Sequence, residues 1–256
     1  MKNSILSLAA ALLLWAPLTT HAQLVDNDEG LFELAQRETR GVSTAAIHAD
    51  NLADLQRFVA FDVLSLNTDR GVDAQKPKFL HSLDAQEALR TVEINPVVSL
   101  YSYNKYDPRN EGIGFCFGRA MFIHLELLQR GLDRRAVQKA FVVGHMQTPD
   151  GGQWGWHVTT IAQSKNARGQ EIWLAIDPIV GRVIEVSEWY KLMRDSYSTD
   201  KKLKLYITHG TRFGPRGVYD EEQIRNEFYN NYFTDMMKWF DKESRAGRYK
   251  TPLRKI

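Results

Sequence analysis

The chain holds one cysteine in 256 residues, Cys116, within "EGIGFCFGRAMFIHLELLQRG" (111–131), at the start of an apolar, helix-like stretch. A thiol at a helix N-terminus faces unpaired backbone N–H groups and the positive end of the helix dipole, both of which favour a thiolate. Gly112 and Gly114 permit a sharp turn into that helix and a close approach by substrate. The Cys116 N–H is then placed to meet a developing oxyanion. A free cysteine is nevertheless more often a small buried apolar residue. The chemical reading therefore requires a base within reach of the sulfur.

Six histidines follow the first 22 residues: His48, His81, His124, His145, His157 and His209. His124 shares the helix with Cys116 but lies eight residues on, about 12 Å up the axis, out of contact. His48, His81 and His209 occur in polar or turn-like sequence and read as surface residues, whereas His145 and His157 lie on strands. His157 is set apart by a hairpin. "WGWHVTTIAQS" and "QEIWLAIDP" flank "KNARG", and a five-residue loop over 165–169 puts Ser164 opposite Gln170 and His157 opposite Asp177. Directly opposed residues have Cβ atoms about 5 Å apart, right for a carboxylate to hold an imidazole. Asp177 would fix the tautomer and leave the other ring nitrogen to the thiol. The set Cys116, His157 and Asp177 then has the chemistry of covalent acyl transfer. Trp154 and Trp156 flank the base, and Trp156 is assigned to the substrate groove, although an indole on a half-buried strand more often packs. One cysteine and scattered histidines do not give zinc spacing, and the acyl-transfer chemistry needs no metal or cofactor.

The elements that must position these residues read as an α+β order. "EGLFELAQRE", "NLADLQRFVAFDVL" (Leu52, Leu55, Phe58, Val59, Val63) and "SLDAQEALRTV", with Ser82 as its cap, have helical spacing. A polar connector spans 67–78, and "EINPVVSLYSYN" reads as a strand interrupted at Pro96. The Cys116 helix runs from about Phe115 to Arg130 and ends at Gly131. "KAFVVGHMQ", "WGWHVTTIAQ", "EIWLAIDP" and "KLKLYITHG" read as strands, and "SEWYKLMRDS", capped by Ser187, as a short helix. A C-terminal amphipathic helix repeats Ile224, Phe228, Tyr232 and Met236, with Phe233, Met237 and Phe240 beside them.

"MKNSILSLAAALLLWAPLTTHAQ" has the layout of a secretory signal peptide cleaved after Ala22. Its apolar run is shorter than the roughly 20 residues that cross a bilayer. Removing residues 1–22 from 256 leaves 234, with only Lys2 lost from 33 basic and 31 acidic residues. That near-neutral balance, without a basic stripe or a second long apolar run, argues against nucleic-acid and membrane partners. An exported, periplasmic or secreted monomer is expected. The region 23–95 is helical, either a pro-segment or part of the fold; 96–210 is the catalytic α+β core, and 211–256 the C-terminal helix and tail. In an oxidising compartment a lone cysteine reads as a reactive thiol or an intermolecular link.

"CFGRA" opening a helix, "WGWHVTTIAQSKNARGQEIWLAIDP" carrying His and Asp, and "VIEVSEWYKLM" beyond it resemble the bacterial protein-glutaminases, secreted enzymes of the transglutaminase-like, papain-like superfamily. The resemblance covers about 112–193. It implies a papain-like/transglutaminase-like core, with the nucleophile at a helix N-terminus packed on an antiparallel sheet and flanking helices. It implies Cys116 as nucleophile, His157 as acid and base, Asp177 as orienting carboxylate, and deamidation of glutamine side chains in protein or peptide substrates, with no cofactor. Members of that family carry disulfides, which this chain cannot form within itself. A transglutaminase or a cysteine endopeptidase would use the same three residues, and a non-catalytic binding module on the same scaffold would keep Cys116 for packing.

Overall fold

The computed structural model describes residues 30–68, 78–102, 105–108, 114–148, 151–218, 229, 231–251 and 253–254, with only the backbone of 61–68. The signal sequence, most of the 67–78 connector, the Val63 side chain, Gly112, Ile224 and Phe228 lie outside these residues.

Three helices come first: α1 (Leu31–Thr39), α2 (Thr44–Thr68) and α3 (Ser82–Ile94). They lead to α4 (Cys116–Gln129), the strands β1 (Val137–Gln147), β2 (Gln153–Lys165), β3 (Glu171–Asp177) and β4 (Arg182–Glu185), and the short helix α5 (Val186–Leu192). β5 (Lys204–His209), a two-stranded ribbon of β6 (Arg212–Gly214) and β7 (Gly217–Val218), and α6 (Tyr232–Arg245) follow, with short helical turns at Arg134–Ala136, Met193–Tyr197 and Arg248–Lys250. The main sheet has the order β4-β3-β2-β1-β5, and every neighbouring pair is antiparallel. This is an α+β fold.

Alternation along the strands explains why helices cover both faces. Phe141, Val143, Val158, Ala162, Leu174, Ile176 and Tyr206 point to one side and bury against α1, α3, α4 and α6. Ala140, Val142, Ile161, Trp173, Ala175, Leu205 and Ile207 point to the other and bury against α2 and α5. The early helices are tied in by hydrogen bonds as well as packing. Leu31 N donates to Pro215 O (2.8 Å) and Leu80 N to Gln163 O (2.7 Å). Asn51, fully buried on α2, donates to Leu203 O (2.8 Å) and accepts from Leu205 N (3.1 Å). Among the described residues, no helix is long and apolar enough to cross a membrane.

Five local expectations are corrected. The stretch 93–104 contributes no strand among its described residues: α3 continues to Ile94, and Asn95 Oδ1 then accepts from Val97 N (2.8 Å) and Val98 N (3.1 Å), turning the chain at Pro96. The cap of α3 is His81, whose ring nitrogen accepts from Leu83 N (3.1 Å), so Ser82 is already helical. Helix α5 begins at Val186 behind Glu185, with Ser187 inside it. Met237, placed by spacing beside the apolar stripe of α6, is half exposed, while Tyr232, Phe233, Met236 and Phe240 are buried.

The hairpin register is the fifth correction, and the one that bears on chemistry. The ladder pairs Lys165 with Glu171 and Thr160 with Ile176, so the loop is 166–170 and not 165–169. Asn166 sets it: its side-chain oxygen accepts from Arg168 N (2.9 Å) and Gln170 N (3.0 Å), and its own N–H donates to Gln170 O (2.9 Å). Gly169 takes the left-handed conformation (φ 75°) that this turn requires. His157 consequently does not lie directly opposite Asp177. It sits past the end of the β2–β3 ladder, on the same face, one diagonal step away.

Candidate active site

Helix α4 begins at Cys116 because the preceding residue breaks the helical conformation. Phe115 is left-handed (φ 47°, ψ 20°), which costs a non-glycine residue about 1–2 kcal/mol. Its fully buried ring packs at 4.5 Å from Tyr232 and 5.9 Å from Phe117, and burying a Phe contributes about 2–3 kcal/mol in return. Arg119, itself buried, donates from Nη2 to Gly114 O (2.6 Å), tying the approach segment to the first turn. Gly118 is needed where it stands: a Cβ there would lie 2.6 Å from Tyr232 Oη. One turn on, Thr160 Oγ1 donates to Ala120 O (2.6 Å) and bolts the helix to the central strand. Gly131, left-handed at φ 93°, closes the C-terminus, with Leu132 N donating to Leu127 O (3.1 Å).

His157 and Asp177 are both buried and hydrogen-bonded, with Nε2 2.8 Å from Asp177 Oδ2. Two further donors hold the carboxylate. Trp189 Nε1 donates to the same Oδ2 at 2.7 Å, and Ile179 N donates to Oδ1 at 3.0 Å. A carboxylate accepts all three without leaving a donor stranded, which fixes Nε2 as protonated and turns Nδ1 away from Asp177. Nδ1 is buried and makes no formed hydrogen bond. Cys116 is half-buried and free, and its sulfur is near enough for hydrogen bonding and charge to favour the imidazolium. A contact that acts on the ring yet falls short of good hydrogen-bond geometry is common in ligand-free sites, where such bonds tighten only on substrate binding.

The electrostatics follow from burial and partners. Burial pulls the His157 pKa down; the Asp177 charge, its hydrogen bond and the Cys116 sulfur together overcome this and push it up to about 9. Burial raises the Asp177 pKa, but the His157 charge and the three N–H donors hold it below the usual carboxylate range. At neutral pH the site therefore presents an imidazolium beside the sulfur.

The two tryptophans on β2 have separate surroundings. Trp154 stacks on His157, centroids 5.7 Å apart and planes 15° apart, and its indole nitrogen would lie 3.6 Å from a Cβ at Gly114. Trp156, expected in the groove, packs instead with Phe141 (5.9 Å) and Phe117 (6.3 Å) in the other core. The two part because Gly144 and His145 on β1 form a bulge, between the pairs Val143–Trp156 and Met146–Trp154, that twists β2 at Gly155. Trp189 was not singled out by sequence reasoning. Its signal was an indole twelve residues past Asp177 on a chain that returns through a short hairpin.

Of the other histidines, His124 is buried on α4 beside Lys139, burial lowering its pKa to about 4. His81 caps α3 and His48 lies against Tyr190, 3.4 Å from its hydroxyl. Among the described residues no three His, Cys, Asp or Glu side chains converge as metal ligands would.

No protein-family model matches the sequence, and no curated protein matches it significantly. Solved structures do. A crystal structure of protein-glutaminase matches at 18% identity and a TM-score of 0.42, over 62% of this chain and 84% of that one. The NMR structure of protein-glutaminase from Chryseobacterium proteolyticum matches at 18% and 0.41, over 60% and 84%. A crystal structure of pro-protein-glutaminase matches at 19% and 0.41, over 66% and 62%.

Proposed function

We propose that this chain is an exported cysteine amidohydrolase that deamidates glutamine side chains in proteins, on a papain-like/transglutaminase-like core. The observation that carries the reading is a buried imidazole held by a triply bonded carboxylate, beside the single cysteine at a helix N-terminus. The substrate rests on the sequence resemblance. Cys116 Sγ attacks the side-chain amide carbon, and the Cys116 N–H meets the oxyanion. Imidazolium Nδ1–H of His157 then passes its proton to the departing ammonia, leaving a thioester. Water attacks the thioester, its proton goes to the now neutral Nδ1, and glutamate leaves as the C–S bond breaks. Asp177 keeps the ring oriented throughout and stays ionised.

Incubation of the mature protein with casein tests this. The expected result is ammonia release without fragments and without cross-linked, high-mass products. Fragments would mean proteolysis and high-mass products acyl transfer to lysine. Ammonia release that persists in Cys116→Ala would sink the cysteine mechanism, and wild-type protein that gives no ammonia, fragments or cross-links would favour a binding scaffold.

A further inference from the structure

Asp177 Oδ2 is shared. His157 Nε2 lies 2.8 Å from it and Trp189 Nε1 2.7 Å, so the indole and the imidazole compete for one oxygen. Trp189 is fully buried in α5, fixed between Val186, Tyr190 and Met193, which are buried in the same core. Its ring also lies 6.1 Å from the His157 ring. Packing alone would be served by any large apolar side chain at this position. The N–H aimed at the carboxylate is a separate feature, and it has an electrostatic consequence. A donor on Oδ2 withdraws electron density from the oxygen that grips the His157 proton, so the carboxylate holds the ring firmly but less basically than it otherwise would.

We propose that Trp189 is a positioning residue whose indole N–H shares Asp177 Oδ2 with His157 and thereby limits how tightly that carboxylate retains the imidazole proton. The proposal rests on the cysteine-hydrolase reading. Its chemical point is that His157 must act twice in opposite senses, first as an acid toward ammonia and then as a neutral base toward water. With Asp177 unrestrained, the ring would be reprotonated from solvent before water attacks, and the thioester would persist. In keeping with this, the Trp189 hydrogen bond is one of the causes that lower the Asp177 pKa. The titratable groups around the pair are Cys116 from α4, Tyr197 from the turn after α5, which feels the Asp177 charge, and Lys139 from β1, which feels the sulfur. None of them is replaced in the experiment, and Lys139, pushed down to about 7 by burial, titrates in wild type and variants alike.

The experiment replaces Trp189 by Phe and, to preserve ring size, by 3-benzothienylalanine, which puts sulfur in place of the N–H. The His157 titration is followed by NMR of the ring carbons, and thioester hydrolysis is followed in single turnovers from pH 6 to 10. The expected result is a His157 midpoint raised by about one unit, with hydrolysis at pH 7 slowed about tenfold and recovering at alkaline pH. A midpoint that stays or falls in the benzothienyl variant, or a rate loss equal at every pH, overturns the proposal and leaves Trp189 as packing. The midpoint is read without turnover. The outcome is therefore separable from the Cys116→Ala test of the activity itself.

Discussion

Asp177→Asn tests the electrostatics of the site most directly, and its effect can be worked from the three donors on the carboxylate. An amide has one oxygen. Placed at the Oδ2 position it still accepts from His157 Nε2 and Trp189 Nε1; its NH2 then faces Ile179 N–H, and one donor is stranded. The opposite orientation strands more, so the tautomer is retained and what is lost is the charge. His157 stands at about 9 in the folded protein, against 6.5 for an ordinary histidine, about 3 kcal/mol in favour of the buried imidazolium. Because the folded value is the higher one, that contribution is complete below pH 6.5, fades as pH rises, and is gone above 9. In Asp177→Asn, burial dominates and the midpoint falls to 6.5 or below. Urea denaturation should therefore show the wild type losing up to about 3 kcal/mol relative to the variant between pH 6.5 and 9.5, the opposite slope from buried Lys139, pushed down to about 7, being common to both. The proposed deamidation at pH 7 should fall by roughly 10²–10³-fold, the kinetic equivalent of the lost proton affinity. A loss nearer 10⁴-fold would mean that the tautomer had reversed, as removal of an orienting carboxylate's charge can cause. A His157 midpoint that stays near 9 in the variant would refute the assignment of Asp177 as its cause.

Other consequences are simpler to measure. Gly118→Ala forces a methyl onto Tyr232, which is fully buried and cannot yield, so thermal unfolding should show a loss of about 1–3 kcal/mol, with weaker alkylation of Cys116 as its helix shifts. Glu126, buried on α4, accepts from Arg248 Nη2 (3.1 Å) and Tyr249 Oη (2.8 Å); Glu126→Ala should cost about 1–3 kcal/mol and make the C-terminal tail sensitive to protease. Cleavage engineered after residue 95, followed by removal of 23–95, should yield aggregated or unfolded protein, because Leu31, Leu34, Ala88, Leu89 and Val92 line one core and Leu55 and Phe58 the other. A soluble, more active product would instead identify those helices as a dispensable cover.

The fold was legible where one physical signal ruled. Strands β1, β2, β3 and β5 carry alternating or continuous β-branched and aromatic residues, and the Cys116 helix carries an apolar face ended by a glycine. It was not legible where two signals competed. "NPVV" has strand composition, yet the Asn95 side chain offers its oxygen to two following N–H groups and the turn wins. A histidine ring can cap a helix as well as a serine, so the start of α3 was misplaced by one residue. The left-handed Phe115 could not be foreseen from its own identity, since only the aromatic cluster it enters from Tyr106 and Tyr232 makes that conformation affordable.

The His157–Asp177 pair came out of an incorrect register, and the reason is geometrical. Sliding a five-residue loop by one position, from 165–169 to 166–170, moves each strand's partner by two residues. Two residues is the side-chain period of a sheet, so every face assignment survives. What changes is distance along the face: a directly opposed pair becomes a diagonal one, which an imidazole and a carboxylate still bridge at 2.8 Å just past the Thr160–Ile176 end of the β2–β3 ladder. A loop one residue longer or shorter would have put the two side chains on opposite faces. The parity of the loop was thus the quantity the sequence had to reveal, and Asn166 and Gly169 reveal it. The nearness of Cys116 to the His157 ring has no such local rule. It depends on how α4, bolted at Ala120 to Thr160, meets β2 beyond the end of its ladder, a matter of tertiary packing that no spacing of residues encodes.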